Sequence, residues 1–464
     1  MSVDGGNMKI DILVAEIGST TTVVNAFNGI DTDHPSFVGQ GQAPTSVQQG
    51  DVRIGLQEAI DDLKSSFGVS DLSYNKLLAT SSAAGGLKMT VHGLVYDMTA
   101  KAAKEAALGA GANLHMVTAG KLKRTDIARL KQISPNIIML AGGVDYGETE
   151  TAIYNAELIA ALDFDAPVLY AGNVQNHDEI KLIFEEAGKS EQLYIVENVY
   201  PKIDLLNVEP ARKVIQDIFE MHIIHAPGME HIRELVSGTI IPTPGAVMEA
   251  SKLLKNDIGD LMTVDVGGAT TDIHSVTEGS EEVSRILISP EPISKRTVEG
   301  DLGVYVNMRN IVEMIGRETL MKDLSVDDQE LSHLIESHLP IPKSELQIAF
   351  VERLAKEAIV VSADRHAGGF RTLYGGGGKK TYAEGKDLTS IKYIVGTGGA
   401  CTRLPNRVTL LKTITEHYLG NKLLPNKETQ ILIDNDYIMA SLGVLSKEHE
   451  TSALLLMKKS LQID

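Results

Sequence analysis

The stretch DLMTVDVGGATT, residues 260–271, joins an apolar run to two glycines and small hydroxyl residues. The same pattern stands about 250 residues earlier in IDILVAEIGSTTT, residues 10–22. A third version, IKYIVGTGGACT, occupies residues 391–402. Short apolar runs that end in glycine are typical of buried strands followed by tight turns. The three stretches therefore predict three strand–turn units spread over the chain.

Further segments indicate how these units are connected. Apolar runs at residues 136–147 and 166–172 predict two more buried strands. Apolar spacing and glycine ends predict helices over residues 51–67, 96–109, 211–224, 345–363 and 437–461, the last broken near Gly443. Strands that alternate with helices favour an α/β fold with mostly parallel strands.

The composition excludes several classes of protein. The chain has 464 residues, of which 43% are hydrophobic, and this length predicts several domains with sizeable cores. A net charge of −19 argues against nucleic acid as the main partner. One cysteine, Cys401, excludes a disulfide framework and is expected to be a buried packing residue. Residues 1–8 lack a signal-peptide pattern and no apolar run reaches membrane-span length, so we expect a cytoplasmic protein without a membrane partner.

The order of the segments predicts three parts. Residues 100–238 carry their own strand–helix alternation between the first and second glycine turns, which indicates an inserted α/β subdomain. The segment TIIPTPG, residues 239–245, contains two prolines and is expected to be a junction. The predicted division is 1–99, 100–238 and 239–464.

The glycine turns have a composition suited to binding phosphate. Glycine lets the backbone approach an anion closely, and short hydroxyls donate hydrogen bonds without bulk. An acidic residue stands two positions before each of the first two turns, Glu16 and Asp265, and could hold Mg²⁺ directly or through water. The alternative is that each stretch is a β-hairpin whose glycines serve the turn alone. The repetition of the pattern favours phosphate binding.

A second glycine-rich segment does not support the same function. GGGGKKT, residues 375–381, resembles a nucleotide-binding P-loop, but Lys379 occupies the place where that motif requires glycine. Residues 372–380 are therefore expected to form a surface loop.

Taken in order, EIGSTTT, DVGGATTDI and VGTGGACTRLP resemble the phosphate-1, phosphate-2 and adenosine motifs of the actin, sugar-kinase and heat-shock-chaperone ATPase superfamily. Within it the chain is most similar to the MutL family associated with glutamate mutase. That similarity rests on TSSAAGGLKMTVHGL (residues 80–94), LAGGVDYGETE (residues 140–150) and RTVEGDLGV (residues 296–304). The resemblance implies two RNase H-like domains, formed by the first and third parts of the chain, with ATP bound in the cleft between them.

The resemblance also implies roles for individual residues. Asp265 would position Mg²⁺ and the attacking water, with Glu299 and Asp301 as further candidates for orienting that water. Glu16 replaces the superfamily's usual aspartate and would be a second Mg²⁺ ligand. ATP or ADP would be held by the phosphate-1 residues Gly18, Ser19, Thr20, Thr21 and Thr22, by the phosphate-2 residues Gly267, Gly268, Ala269, Thr270 and Thr271, and by the adenosine-motif residues Gly396, Gly398 and Gly399.

The function implied by the resemblance is ATP-dependent release of damaged cobalamin from an adenosylcobalamin-dependent mutase or aminomutase. Such a reactivating chaperone would be a slow Mg²⁺-dependent ATPase with the mutase as its partner, and residues 100–238 are expected to contact that partner. Two alternatives stay open. A small-molecule kinase of the same superfamily would show a rate of ATP turnover that rises steeply when one sugar or acid substrate is added. An actin-like assembly protein would polymerise.

Overall fold

The computed structural model describes residues 6–18, 21–82, 87–224, 228–229, 231–238, 240–375, 378–416 and 420–463. The chain divides into two compact units. Unit 1 comprises Met1–Glu249 and Ala440–Ala453, and unit 2 comprises Ala250–Met439 and Leu454–Asp464.

Each unit contains both strands and helices. The strands of unit 1 are β1 (Asn7–Ile17), β2 (Thr21–Asn28), β3 (Ser36–Pro44), β4 (Asp71–Ser81), β5 (Lys88–Gly93), β6 (Asn113–Ala119), β7 (Ile137–Leu140), β8 (Val168–Tyr170), β9 (Leu193–Ile195) and β10 (Ile240–Pro242). Those of unit 2 are β11 (Leu261–Val266), β12 (Thr271–Val276), β13 (Ser294–Glu299), β14 (Gly369–Gly375), β15 (Gly378–Glu384), β16 (Tyr393–Thr397) and β17 (Gln430–Ile433).

Most helices also belong to one unit, but the three boundaries between the units fall inside helices. Unit 1 has α1 (Val52–Phe67), α2 (Lys101–Gly109), α3 (Arg124–Ile133), α4 (Glu150–Ala160), α5 (His177–Glu186), α6 (Glu209–Ile224) and α7 (Ile232–Leu235). Unit 2 has α9 (Glu281–Ser284), α10 (Met308–Ile315), α11 (Arg317–Leu324), α12 (Asp328–Glu336), α13 (Glu345–His366), α14 (Gly398–Arg403) and α15 (Arg407–Glu416). The boundaries fall inside α8 (Thr243–Ile258), α16 (Met439–Leu445) and α17 (Glu450–Leu461).

Local sequence explains where these helices begin and end. In α1, Leu56, Ala59 and Leu63 are buried at three- to four-residue spacing, which places one apolar face on the core. The Asp51 side chain accepts a hydrogen bond from the backbone amide of Arg53, and Gly68 ends the helix with φ 66°. Both residues are favoured at helix ends. The aspartate accepts a hydrogen bond from an otherwise unpaired amide at the start, and glycine adopts the left-handed conformation at the end without strain.

The first sheet of unit 1 and the main sheet of unit 2 share one topology. Their strand orders are β10-β4-β1-β2-β3 and β13-β12-β11-β16-β17. In each, the first three strands along the chain pair antiparallel and the last two join parallel to the first. This is the RNase H-like arrangement, repeated in both units. The expected fold class is therefore confirmed.

A second sheet in unit 1 is entirely parallel, with strand order β6-β5-β7-β8-β9. It lies in the connection between β4 and β10, so the chain leaves the first sheet, builds a second one and returns. The second sheet begins at Lys88, and residues 240–245 of the segment expected to be a junction form β10 and the start of α8. Residue 239 lies outside the described residues. Pro242 is accommodated because β10 is an edge strand. The division at residues 99 and 238 stays a prediction.

The glycine-rich segment at residues 372–380 differs from its prediction as a surface loop. Strands β14 and β15 pair antiparallel from Gly369 with Glu384 to Gly375 with Gly378. The expectation was wrong because Phe370, Thr372 and Tyr382 favour extended backbone more strongly than the glycines oppose it. Residues 376–377 lie outside the described residues.

None of the helices in the described part of the chain is both long and apolar enough to cross a membrane.

Candidate phosphate-binding turns

The phosphate-2 segment of unit 2 forms a tight hairpin. Strands β11 and β12 pair up to Val266 and Thr271. The Gly267 amide then donates to the Thr270 carbonyl at 2.9 Å, which closes the turn. Gly268, at the tip, is exposed. The strands thus place the predicted phosphate-2 residues in one compact turn.

A loop after β13, residues 300–307, fixes the orientation of this turn. Its backbone amides and one side chain bind the turn's carbonyl oxygens: Val304 N to Gly267 O at 3.2 Å, Tyr305 N and Val306 N to Gly268 O at 2.9 and 2.7 Å, and Asn307 Nδ2 to Ala269 O at 2.8 Å. Gly303 allows this approach, because a Cβ there would lie 2.3 Å from the Ala269 oxygen. All three carbonyls therefore point at the loop.

The backbone amides of the same turn differ from its carbonyls in their hydrogen-bond partners. No residue in the described part of the chain accepts a hydrogen bond from the backbone amides of Gly268, Ala269 or Thr270. Backbone amides without a protein acceptor can donate hydrogen bonds to an anion. Binding of phosphate by this turn stays a prediction.

The phosphate-1 turn of unit 1 is closed by a hydrogen bond equivalent to that of the phosphate-2 turn. The Gly18 amide donates to the Thr21 carbonyl at 3.0 Å, and β1 and β2 pair up to Ile17 and Thr22. The carbonyl of Gly18 accepts a hydrogen bond from Thr45 Oγ1 at 2.8 Å, from the segment that follows β3. Ser19 and Thr20 lie outside the described residues.

The threonines of the two turns differ in burial. Thr22 and Thr271 are buried and their hydroxyls bind protein, at 3.0 Å to Thr45 Oγ1 and 2.7 Å to Leu302 O respectively. Thr21 is exposed, and Thr270 donates its hydroxyl proton to Asp272 at 2.9 Å. The buried pair holds the adjoining segments in place, and their predicted phosphate contacts stay predictions.

Asp265 lies directly against the adenosine motif. A Cβ at Gly398 would stand 2.1 Å from Asp265 Oδ1, and Gly398 has φ +80°, so both space and conformation require glycine. Gly399 is exposed with open space around it, whereas Gly396 packs against Leu411. The structure thus brings the phosphate-2 carboxylate and the adenosine motif together, and it gives Gly396 a packing role.

Cys401, in α14, is 1% exposed, and burial raises the pKa of its thiol. Its prediction as a buried packing residue is confirmed.

Glu16 belongs to a buried hydrogen-bonding network in unit 1. Its Oε1 accepts from the backbone amide and the hydroxyl of Ser441 at 3.1 and 2.6 Å, and from Asn25 Nδ2 at 3.2 Å. Asn25 Nδ2 also donates to Ser441 Oγ at 2.9 Å, and Gln40 Nε2 donates to Asn25 Oδ1 at 2.7 Å. Hydrogen bonds to a carboxylate are among the stronger ones in proteins, so the network fixes the Glu16 side chain.

Glu299 and Asp301 share one arginine. Arg365 Nη1 lies 2.5 Å from Glu299 Oε2 and 3.0 Å from Asp301 Oδ1. The hydrogen bonds from Arg365 lower the pKa of Asp301, and those to the two carboxylates raise the pKa of Arg365. Both candidates for orienting water are therefore in ion pairs with a cation that the sequence did not predict.

Other residues of these sites were also missed by the sequence analysis. Ser441, Thr45 and Arg365 reach the sites from segments distant in sequence, and no local pattern connects them to the glycine turns. The loop at residues 300–307 overlaps RTVEGDLGV, a segment that indicated the family but not this contact. In the described part of the chain, no three His, Cys, Asp or Glu side chains cluster as a metal site.

The RNase H-like sheets, each with a glycine turn after its first strand, define a protein with the actin-like ATPase fold. The chain belongs to the MutL family: the family model described as MutL protein matches residues 12–461. Protein MutL from Clostridium tetanomorphum is 35% identical over 461 residues, which cover 97% of this chain and 98% of that protein. The family indicated by the sequence motifs is confirmed.

Solved structures with similarity to the chain are more distant. They include diol dehydratase-reactivating factor in its nucleotide-free form, 12% identical with a TM-score of 0.39, covering 95% of this chain and 99% of that one. Glycerol dehydratase reactivase is 11% identical with a TM-score of 0.35, covering 94% and 99%. Nucleotide-free acetone carboxylase is 12% identical with a TM-score of 0.40, covering 94% and 70%.

Proposed function

We propose that this MutL-family chain is an ATP-dependent reactivating chaperone that releases damaged cobalamin from an adenosylcobalamin-dependent mutase or aminomutase. The observation that carries the proposal is the phosphate-2 turn, whose carbonyls are bound by the loop at residues 300–307 while its amides have no acceptor in the described part of the chain. Membership of the MutL family, whose resemblance implies this activity, supports the same function.

The residues suited to ATP hydrolysis are the carboxylates at the turns. Asp265, against Gly398, is the residue we assign to orienting the attacking water, and Asp265 and Glu16 would supply carboxylate oxygens for Mg²⁺. Carboxylate oxygens fit this ion, because Mg²⁺ is typically held by one or two carboxylates together with water and substrate phosphates. When bound with ATP, Mg²⁺ would neutralise phosphate charge. Glu299 and Asp301, in ion pairs with Arg365, would act by positioning the loop that follows β13.

Nucleotide turnover can drive cofactor release only under one condition. The mutase must bind the ATP and ADP states of the chaperone with different affinities, because a ligand shifts a conformational equilibrium only by its differential affinity. A radical enzyme whose cofactor has lost its adenosyl group holds the inactive cofactor in a tight complex. Opening that complex therefore requires a difference between the affinities of the mutase for the ATP and ADP states.

ATP hydrolysis by the purified protein with Mg²⁺ is the first test. We expect a slow rate that Asp265→Ala abolishes. Asp163→Ala, at an exposed carboxylate outside the turns, is the matched control and should leave the rate unchanged. Absence of both nucleotide binding and hydrolysis in the wild type would refute the proposal.

The partner is tested in a second assay. Glutamate, ornithine and lysine mutases loaded with cyanocobalamin are incubated in turn with the chain, ATP and free adenosylcobalamin. We expect one of them to regain activity, and Asp265→Ala to prevent the recovery. ATP turnover that instead rises steeply with one sugar or acid would identify a small-molecule kinase.

A further inference from the structure

The carboxyl edge of the second sheet in unit 1 is a fixed platform built from loops. In an open parallel sheet, binding sites form beyond the carboxyl ends of the strands, at the point where the strand order reverses. In the order β6-β5-β7-β8-β9 that point lies between β5 and β7. The loops after β5, β7, β8 and β9, residues 94–97, 141–149, 171–176 and 196–205, form this carboxyl-edge platform.

Side chains on the platform fix three of its loops to one another. Asp145 Oδ1 accepts from the Val174 amide at 3.0 Å and from Asn198 Nδ2 at 3.0 Å, and the Asp145 amide donates to Pro201 O at 3.0 Å. Asn173 Oδ1 accepts from the Tyr146 amide at 3.0 Å. The loops are thus held in one conformation without a ligand, which lowers the entropy lost on binding.

Tyr146, in the loop after β7, has an unfavourable backbone conformation. It is the third residue of a turn in which the Gly147 amide donates to Val144 O at 3.0 Å, and its φ is +63°. Glycine is preferred at such a position, because a side chain strains the left-handed backbone. Tyr146 is nevertheless 78% exposed, so packing of its side chain in the core does not offset the backbone strain. Strain of this kind points to a function outside the fold.

The surroundings of Tyr146 indicate what it binds. Val95, Tyr96, Val174 and Ile203 on the same loops are exposed at 44%, 59%, 39% and 69%. Loops that carry several exposed apolar groups and an exposed tyrosine are typical of protein interfaces, where tyrosine is enriched among the residues that carry the binding energy.

The charge of the platform selects among partners. Its loops carry five carboxylates against one lysine, Lys202; the carboxylates are Asp97, Asp145, Glu148, Glu197 and Asp204. A second copy of this chain would place carboxylate against carboxylate. A small planar ligand is disfavoured because such ligands are usually bound in enclosing pockets, and Tyr146 is largely open to solvent. A protein surface with lysine or arginine around an apolar recess fits both features.

We propose that Tyr146 and the carboxyl-edge platform dock onto a basic, apolar-centred surface of the mutase. This inference rests on the proposed function and deepens it by placing the partner contact at named residues. Salt is expected to weaken the association, because the rim contacts are electrostatic and exposed charges are screened.

Tyr146→Gly is a sharp test, because glycine suits the backbone while removing the ring. We expect the variant to keep or raise the thermal midpoint and to retain wild-type ATPase activity. Its affinity for the mutase that the wild type reactivates should fall at least tenfold, measured by titration calorimetry. The control is Ser134→Gly, which also relieves a positive φ, 47°, but lies at the amino end of β7.

Glu148→Lys tests the charge of the platform. The loss of affinity that it causes, relative to the wild type, should be larger at 50 mM salt than at 300 mM salt.

The outcomes separate the two proposals. If wild type reactivates a mutase and Tyr146→Gly binds it equally well, the platform is not the docking surface and the proposed function stands. If wild type neither binds nor reactivates any of the three mutases, both the proposed function and this surface are overturned. Dimerisation of the wild type that Tyr146→Gly abolishes would assign the surface to a second copy instead.

Discussion

Gly398 and Asp265 are so close that a Cβ on the glycine would stand 2.1 Å from the aspartate Oδ1. The contact joins the adenosine motif of the sequence to the carboxylate assigned to catalysis. It also makes Gly398 the most restricted of the three adenosine-motif glycines, because its φ of +80° is a second reason for the absence of a side chain.

Gly398→Ala should therefore displace Asp265 and reduce ATP turnover by more than tenfold. The left-handed backbone adds about 1–3 kcal/mol of strain to the clash, which should lower the thermal midpoint. Gly188→Ala is the control: its φ is +68° and the space around it is open, so it measures the loss of stability from backbone strain without a clash. Wild-type turnover by Gly398→Ala would show that the position of Asp265 does not matter.

The buried contact of Ser441 with Glu16 gives a prediction on stability. Ser441→Ala removes a hydroxyl that donates to Glu16 at 2.6 Å and accepts from Asn25 at 2.9 Å. Because the carboxylate stays buried with fewer donors, we expect a loss of about 1.5–3 kcal/mol in the free energy of unfolding, measured with urea. Ser446→Ala, which removes only a local hydrogen bond to Gly443 O, should lose less than about 1 kcal/mol. Equal losses from the two variants would contradict a special role for the Glu16 network.

The side chain of Asn307 tests whether the loop at residues 300–307 organises the phosphate-2 turn. It donates to Ala269 O and to Gly300 O, both at 2.8 Å. Asn307→Ala should weaken ATP binding by roughly five- to thirtyfold, corresponding to about 1–2 kcal/mol for two hydrogen bonds. Asn310→Ala, whose contact with Asp301 O is 3.4 Å long, is the matched control in an equilibrium binding assay. An unchanged affinity in Asn307→Ala would mean that the turn holds its shape without the loop.

The buried histidine of β12 makes the stability of unit 2 dependent on pH. Burial, with a smaller effect of Arg296, lowers the pKa of His274 to about 3, and neither ring nitrogen has a hydrogen-bond partner in the described part of the chain. In the unfolded chain the pKa of this histidine is near 6.5, so unfolding takes up a proton when the pH lies between about 3 and 6.5. The stabilisation is complete above about pH 6.5 and is lost as the pH falls toward 3.

His274→Asn removes this titration and places in unit 2 the residue type that Asn25 provides at the matching position of unit 1. Between pH 7 and pH 5 the wild type should lose up to about 2 kcal/mol more than the variant in urea unfolding followed in unit 2. His333→Asn, at an exposed position, should lose as much as the wild type. Parallel pH profiles for wild type and His274→Asn would contradict the assignment.

Much of the fold follows from local sequence. The apolar runs before Gly18, Gly267 and Gly396 are β1, β11 and β16, and the predicted helix over residues 51–67 is α1. Strand and helix signals of this kind depend on neighbours within a few residues, so one sequence suffices to find them.

The details of the site could not be predicted, because they depend on contacts between distant segments. The Arg365 ion pairs span more than 60 residues, and Ser441 reaches Glu16 across more than 400. The burial of Thr22 and Thr271 follows from strand pairing, which the motif pattern does not reveal. The hairpin of β14 and β15 was missed because the prediction gave four consecutive glycines more weight than the extended preferences of their neighbours, which prevail in the structure.

The strand order shared by β10-β4-β1-β2-β3 and β13-β12-β11-β16-β17 gives positions on one sheet a counterpart on the other. Two such pairs differ in residue type: glutamate against aspartate before the glycine turn, and asparagine against histidine on the next strand. Exchanging these residues between the two sheets would measure how far each depends on its own surroundings, with each sheet serving as an internal reference for the other.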